Sequence, residues 1–156
     1  MIADSSVLIL LAKTNKLDLL HKLYQKIIIP EKVKDEILIP EKEGYLKIKE
    51  ALEKKKIVIK NPSSNNDFGL GKGENAVLNL AIESKDSVIM DDRAAILKAK
   101  TLGIEYIRTT DLASQALKKG YIDKNQARLF IDDLIKAGCY ISTSVYIDII
   151  NRLNKY

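Results

Sequence analysis

Hydrophobic residues along the chain form short β-type runs that alternate with amphipathic helical stretches. Around one aperiodic loop at 61–73, the β-type runs predict strands at 1–3, 26–29, 56–60, 87–90 and 105–109. Apolar residues spaced three and four apart predict helices at 7–12, 17–24, 31–38, 43–54, 73–84, 93–102 and 111–119. This alternation is typical of an α/β protein with a central, mostly parallel sheet and helices on both faces.

The last part of the chain follows a different pattern. Residues 124–137 and 144–153 predict two more helices with no strand between them. Their Ile, Leu and Tyr stripes are too apolar to remain in water, so we expect them to pack back onto the sheet. The pattern predicts a single domain over 1–156, with an α/β core at 1–120 and a C-terminal helical extension at 121–156.

Composition narrows the chemistry that the chain can perform. Its 26 Lys and Arg residues against 21 Asp and Glu give a net charge of +5, which favours a polyanionic partner such as nucleic acid. The longest apolar run, 7–12, is far shorter than the roughly 20 residues that cross a bilayer, and we find no secretory signal. We therefore expect a cytoplasmic protein with no membrane contact.

Cysteine and histidine are too scarce to build the usual metal or catalytic sites. Cys139 is the one cysteine, so there is no internal disulfide and no thiolate-rich zinc site. His21 is the one histidine, and we assign it to packing or to the surface. The available chemistry then comes from carboxylates, hydroxyls, lysines and backbone groups.

Acidic residues recur where predicted strands end. Asp4 directly follows the first strand, and Asp91 and Asp92 directly follow the fourth. In an open parallel sheet, ligands bind beyond the carboxyl ends of the strands, so these acids mark one edge of the sheet.

Two predicted helices add one acid each to this edge. Glu74 stands at the start of helix 73–84, directly after a Gly-Lys-Gly segment. On helix 31–38, Val33 and Ile37 mark the buried face, and Glu36 lies beside that face because it follows Val33 by three residues. Asp35 points about 200° away from Val33 and faces water.

A cluster of these acids is chemically suited to divalent metal ions. Neighbouring carboxylates repel one another and take up protons unless cations neutralise them. Mg²⁺ and Mn²⁺ prefer oxygen ligands, and two such ions about 4 Å apart can activate a water and stabilise the leaving oxygen of a phosphodiester.

Each acid taken alone also has a simpler role open to it. Asp4 and Asp92 could cap the helices that follow them. Glu74 could complement a helix dipole, and Glu36 could pair with Lys32 on the helix surface.

The order of these motifs resembles that of PIN domains from residue 1 to about 120. Segment 2–6 (Ile-Ala-Asp-Ser-Ser) is similar to their amino-terminal motif, and 30–37 (Pro-Glu-Lys-Val-Lys-Asp-Glu-Ile) to their second acidic motif. Segments 71–81 and 88–99 resemble the third and fourth motifs. The forms Gly-Glu-x-x-Ala and Asp-Asp-Arg, with Gly-Cys-Tyr-Ile-Ser at 138–142, look closest to a prokaryotic branch related to VapC-type toxins.

The resemblance implies a three-layer PIN fold and a ribonuclease that depends on Mg²⁺ or Mn²⁺. The resemblance also implies that metal binding and catalysis involve Asp4, Glu36, Glu74 and the pair Asp91 and Asp92. It also gives Ser6 a role, either a hydrogen bond within the cluster or the orientation of a bound water. The expected substrate is RNA, an antitoxin protein is a candidate partner, and we expect a homodimer. The alternative is a non-catalytic PIN-like module that binds RNA or a protein and keeps a remnant acidic site.

Two features depart from the toxin pattern. The third acid is Glu74, where many toxin relatives have Asp, so its longer side chain changes the reach. The doubled acid after the fourth strand leaves two candidates for the fourth ligand. We favour Asp92 because it directly precedes Arg93, as the toxin-type acid precedes a basic residue.

Other small α/β proteins with acids at one sheet edge fit less well. A phosphoacceptor receiver domain needs an acid pair after the first strand, and a haloacid-dehalogenase-type phosphatase needs Asp-x-Asp there, which Ser6 breaks. The glycines at 69–73 match neither the Walker A spacing nor the dinucleotide-binding spacing.

Overall fold

A computed structural model describes residues 1–155, in which strands and helices alternate as the pattern predicts. The strands are β1 (Ile2–Ala3), β2 (Ile27–Ile29), β3 (Ile57–Ile59), β4 (Val88–Ile89) and β5 (Tyr106–Ile107). The helices are α1 (Ser5–Lys13), α2 (Leu17–Tyr24), α3 (Glu31–Ile37), α4 (Tyr45–Glu53), α5 (Lys72–Ser84), α6 (Arg93–Thr101), α7 (Asp111–Lys118), α8 (Lys124–Lys136) and α9 (Thr143–Asn154). No helix within residues 1–155 is both long and apolar enough to cross a membrane.

The five strands form one parallel sheet in the order β3-β2-β1-β4-β5. Strands β2 and β3 are added in turn on one side of β1. The chain then crosses back along α5, and β4 and β5 are added in turn on the other side of β1. Because such crossovers are right-handed, the two halves place their helices on opposite faces, which gives the predicted three-layer α/β fold. The order reverses between β1 and β4, and a sheet of this kind binds ligands at that point.

The two central strands are buried on both faces of the sheet because they are entirely aliphatic. Ile2, Ala3, Val88 and Ile89 at the two central strands are 0% exposed. Helix α5 packs against both of these strands and also against α3. The first residues of α5 are therefore held beside the end of β1.

Several elements are shorter than the pattern predicts. Helix α4 begins at Tyr45 because Gly44 has a φ of +89°, outside the helical region, and a Cβ at Gly44 would lie 2.7 Å from the Ala12 Cβ. Strands β4 and β5 pair over only two residues, because beyond Met90 the chain turns to side-chain contacts with Thr109.

The two C-terminal helices pack against the rest of the chain. Helix α8 contacts α7, and α9 contacts both α7 and α8. Phe130 and Ile149 join the buried cluster, at 1% and 0% exposure. Lys16, directly before α2, donates a hydrogen bond of 3.0 Å to the carboxylate of Asp133 on α8. This ion pair links α8 to the first half of the chain.

We expect Phe130→Ala to lower the free energy of unfolding by about 3–5 kcal/mol, because it leaves a cavity in the shared core. Urea denaturation measures this loss. The control is the neighbouring Leu129→Ala, whose side chain is 56% exposed and whose removal should change stability by no more than about 0.5 kcal/mol. Equal effects of the two substitutions would contradict the packing of α8 into the core.

Candidate functional site

Asp4 lies at the end of the central strand β1 and is only 3% exposed. Its Oδ2 accepts a hydrogen bond of 2.8 Å from the Ser6 hydroxyl, while its Oδ1 is buried with no hydrogen-bond partner among residues 1–155. Asp4 occupies the N-cap position of α1, but its side chain makes no capping hydrogen bond. The simpler role of a helix cap therefore does not account for this carboxylate.

Glu36 and Glu74 bring their charges toward Asp4. Burial of the carboxylate is the main cause that raises the pKa of Asp4, and Glu74 and Glu36 raise it further. The Ser6 hydroxyl and the neighbouring Ser5 backbone lower it. Glu36 comes from α3 and Glu74 from the first turn of α5, and these two helices pack against each other. Three of the predicted acids thus interact electrostatically at the carboxyl edge of the sheet.

Gly73 leaves space for the Glu36 carboxylate at this edge. A Cβ at Gly73 would lie 2.6 Å and 2.8 Å from the two carboxylate oxygens of Glu36. The Glu74 carboxylate folds back over Gly71, the N-cap of α5, where a Cβ would also collide with it. In the sequence these glycines belong to the segment that resembles the third PIN motif, and no steric role was predicted for them.

Asp91 and Asp92 have different surroundings. Asp91 is half-buried, and its oxygens accept hydrogen bonds from the Thr109 backbone N–H over 2.9 Å and from the Thr109 hydroxyl over 2.6 Å. Asp92 is exposed and caps α6, since its Oδ1 accepts from the Ala95 N–H over 2.8 Å. Burial raises the pKa of the half-buried Cys139 thiol, and Asp91 raises it further. Cys139 lies on the loop between α8 and α9, so this loop passes near Asp91.

The acids do not form a ready-made metal cage. Among residues 1–155, no group of three or more His, Cys, Asp or Glu side chains is arranged to hold a metal ion. Carboxylates without a cation repel one another, which favours separated positions of the long Glu36 and Glu74 side chains. The donor set is still the kind that Mg²⁺ and Mn²⁺ take, because it is made of oxygens and includes the unpartnered Oδ1 of Asp4.

His21 is buried and belongs to a different part of the surface. It lines a cavity of about 330 Å³ with Asp18 and Lys56, and neither ring nitrogen has a partner among residues 1–155. Burial lowers the pKa of His21, Lys56 lowers it further, and Asp18 raises it. The histidine thus has a packing position, in agreement with the sequence analysis.

Two asparagines on α5 hold the long loop at 60–71, a feature that the sequence analysis missed. The Asn79 amide is 1% exposed, accepts from the Asn66 N–H and the Ser64 hydroxyl, both over 3.1 Å, and donates to the Asn66 carbonyl over 2.9 Å. Asn75 accepts from the Phe68 N–H over 3.1 Å. The signal in the sequence was two amides four residues apart on an otherwise apolar helix.

The switch-point sheet with acids at its carboxyl edge places the chain in the class of open α/β proteins, which generally bind ligands at such an edge. A family model, DUF3368, described as a PIN domain, matches residues 1–155. The chain belongs to the PIN domain family. Its fold is that of a nuclease-like family whose members are commonly nucleases acting on nucleic acids. Comparison with curated proteins gave no match.

We expect Asp4→Asn to stabilise the metal-free protein at neutral pH but not in acid. The folded protein raises the pKa of Asp4 above its ordinary value of 3.8, so ionisation costs stability as pH rises from there through the folded pKa. Asn carries no charge at any pH. The difference in free energy of unfolding between variant and wild type should therefore be small near pH 3.8 and grow to a plateau at higher pH.

Urea denaturation in EDTA from acidic to neutral pH measures this difference. Asp92→Asn is the control, because Asp92 is exposed and Asn keeps a capping oxygen, so its effect should stay within about 0.5 kcal/mol. A difference for Asp4→Asn that does not change with pH would show that Asp4 titrates alike in the folded and unfolded chain.

Asn79→Ala should release the loop at 60–71. The loss of buried hydrogen bonds should lower the free energy of unfolding by about 1–3 kcal/mol and expose the loop to protease. Limited proteolysis with mass spectrometry locates the cuts, with the exposed Asn65→Ala as control in the same loop. Equal cutting of the two variants would mean that Asn79 does not hold the loop.

Proposed function

We propose that the protein is a divalent-metal-dependent ribonuclease whose site is the acidic edge between β1 and β4. The observation that carries this proposal is Asp4. A carboxylate that is 3% exposed, has an unpartnered oxygen and faces two further acids is costly to the apo protein. A bound cation would remove that cost.

Asp4, Glu36 and Glu74 would hold the metal, with Asp92 as the fourth ligand. Asp92 is preferred because it is exposed and uses Oδ1 for its cap, whereas the Asp91 carboxylate accepts two hydrogen bonds from Thr109. When bound, Mg²⁺ or Mn²⁺ would supply an activated water and stabilise the leaving oxygen.

Neighbouring groups would position the acids. The Ser6 hydroxyl donates to Oδ2 of Asp4 and so leaves Oδ1 free for a ligand. The absence of a side chain at Gly73 leaves room for the Glu36 carboxylate. Asp91, held by Thr109, would brace the ends of β4 and β5 beside Asp92.

Exposed basic residues beside the acids would contact the RNA backbone. Lys72 and Arg93 are exposed at the starts of α5 and α6, two residues before Glu74 and one after Asp92. Lys32 is exposed on α3, four residues before Glu36. Phosphate contacts of this kind orient nucleic acid without reading its sequence. An antitoxin partner, a homodimer and a cytoplasmic location remain predictions from the sequence.

Cleavage of a fluorescent single-stranded RNA, with the same sequence as DNA for comparison, tests the proposal. We expect Mn²⁺ to support RNA cleavage, EDTA to stop it, and Asp4→Asn to reduce it at least about a hundredfold. Millimolar Mn²⁺ should raise the melting temperature of the wild type more than that of the variant, because the ion binds the native state. Asp35→Asn, an exposed carboxylate beside Glu36, is the matched control and should cleave normally.

Three results would contradict the proposal. Equal cleavage by Asp4→Asn and the wild type would assign the activity to a contaminant. Cleavage of DNA alone would reject RNA as the substrate. If Mn²⁺ neither stabilises the protein nor supports cleavage, the chain is a non-catalytic module with a remnant acidic site.

The variant Gly73→Ala tests whether metal binding can be weakened without loss of stability in the metal-free protein. The new Cβ would force the Glu36 carboxylate away, while alanine is favoured over glycine inside a helix by up to about 1 kcal/mol. We expect a variant that is no less stable without metal, gains less from Mn²⁺, and cleaves RNA about 10–100-fold more slowly. An unchanged response to Mn²⁺ would remove Glu36 from the ligand set.

A further inference from the structure

Strand β3 forms one edge of the sheet and pairs only with β2. The Ile27 N–H donates to the Lys56 carbonyl over 3.1 Å, and the Lys60 N–H donates to the Ile29 carbonyl over 3.0 Å. Alternate residues of a parallel strand bond to the same neighbour, so the main chain of Ile57 and Ile59 points away from the sheet. An edge of this kind can pair with another strand.

A groove with an apolar floor runs beside this edge; we call it the β3 groove. It has a volume of about 590 Å³, and its floor is formed by Ile57, Ile59, Leu38 from the end of α3 and Leu52 from α4. Ile59 is 39% exposed, so part of its apolar side chain is open to contact from outside. Apolar surface next to an unpaired strand edge is typical of sites that bind extended peptides.

The rim of the β3 groove is basic. Four lysines and one glutamate line it: Lys26, Lys34, Lys49, Lys55 and Glu53. Lys34 is paired with Glu31 on the same helix. For Lys26, Lys49 and Lys55 there is no ion pair with an acid in residues 1–155. The groove therefore offers positive charge to an incoming ligand.

We propose that the β3 groove binds an acidic, extended segment of a partner protein, which adds as a strand to β3. The main-chain groups of Ile57 and Ile59 would pair with it, its apolar side chains would enter the groove, and its acidic side chains would meet the lysines. A second copy of this chain fits less well, because pairing two β3 strands would bring like charges together. RNA fits less well because, among residues 1–155, no aromatic side chain lines the groove to stack on bases.

Binding of a labelled ten-residue peptide that alternates Glu with Val tests the proposal with the full chain. Fluorescence anisotropy should show that this peptide binds more tightly than its counterpart with Lys in place of Glu. Ile59→Pro removes an outward N–H but keeps the Lys60 N–H bond to β2, so it should weaken binding about tenfold relative to Ile59→Ala.

Two further measurements keep the test decisive if the proline variant folds poorly. Lys49→Glu should weaken acidic-peptide binding, whereas Lys22→Glu, an exposed lysine of α2 outside the groove, should not. Exchange of the Ile57 and Ile59 amide protons should slow when the peptide is present.

Four outcomes would overturn the proposal. They are absent binding of the acidic peptide, equal binding of the two peptides, equal loss in both lysine variants, and no change in amide exchange. Loss of a dimer in Ile59→Pro without peptide binding would assign the edge to a second copy. Loss of RNA binding in Lys49→Glu without peptide binding would assign it to RNA.

Discussion

A buried carboxylate at the end of the central strand is the constraint on which the organisation of this molecule depends. Asp4 has no ion pair with a lysine or arginine in residues 1–155, one of its oxygens lacks a hydrogen bond, and Glu36 and Glu74 raise its pKa further. Burying a charge in this way costs several kcal/mol unless it is compensated. The fully buried aliphatic strands around β1 offset that cost in the folded protein.

The position of the acids depends on packing and hydrogen-bond contacts of residues that do not belong to the acidic cluster. Helix α5 carries Glu74 and packs against α3, and Gly73 has no side chain at the point where the Glu36 carboxylate lies. The loop that leads into α5 is held by the Asn79 amide. The space for the Glu36 carboxylate therefore depends on a residue without a side chain, and the loop before α5 depends on a buried hydrogen-bond network.

Charge is divided over the surface in a way that the net charge of +5 does not reveal. Three acids lie near one another at the carboxyl edge between β1 and β4. Four lysines line the outer edge at β3, three of them without an ion pair among residues 1–155. These regions differ in what they can attract, since the first suits cations and the second suits acidic groups. A chain of mildly basic composition thus carries one acidic surface and one basic surface.

The order and type of the elements could be predicted from the sequence, because aliphatic strands and amphipathic helices have periods that can be read locally. The sequence also placed Asp4, Asp91 and Asp92 at strand ends, and Glu36 beside the buried face of α3. The strand order, the unpaired oxygen of Asp4, the contact between Gly73 and the Glu36 carboxylate and the Asn79 network could not be predicted in this way. Those features join residues far apart in the chain, such as Gly73 and Glu36, and only tertiary packing decides which distant groups meet. The different surroundings of Asp91 and Asp92 have the same origin, because Thr109 reaches Asp91 only once β5 pairs with β4.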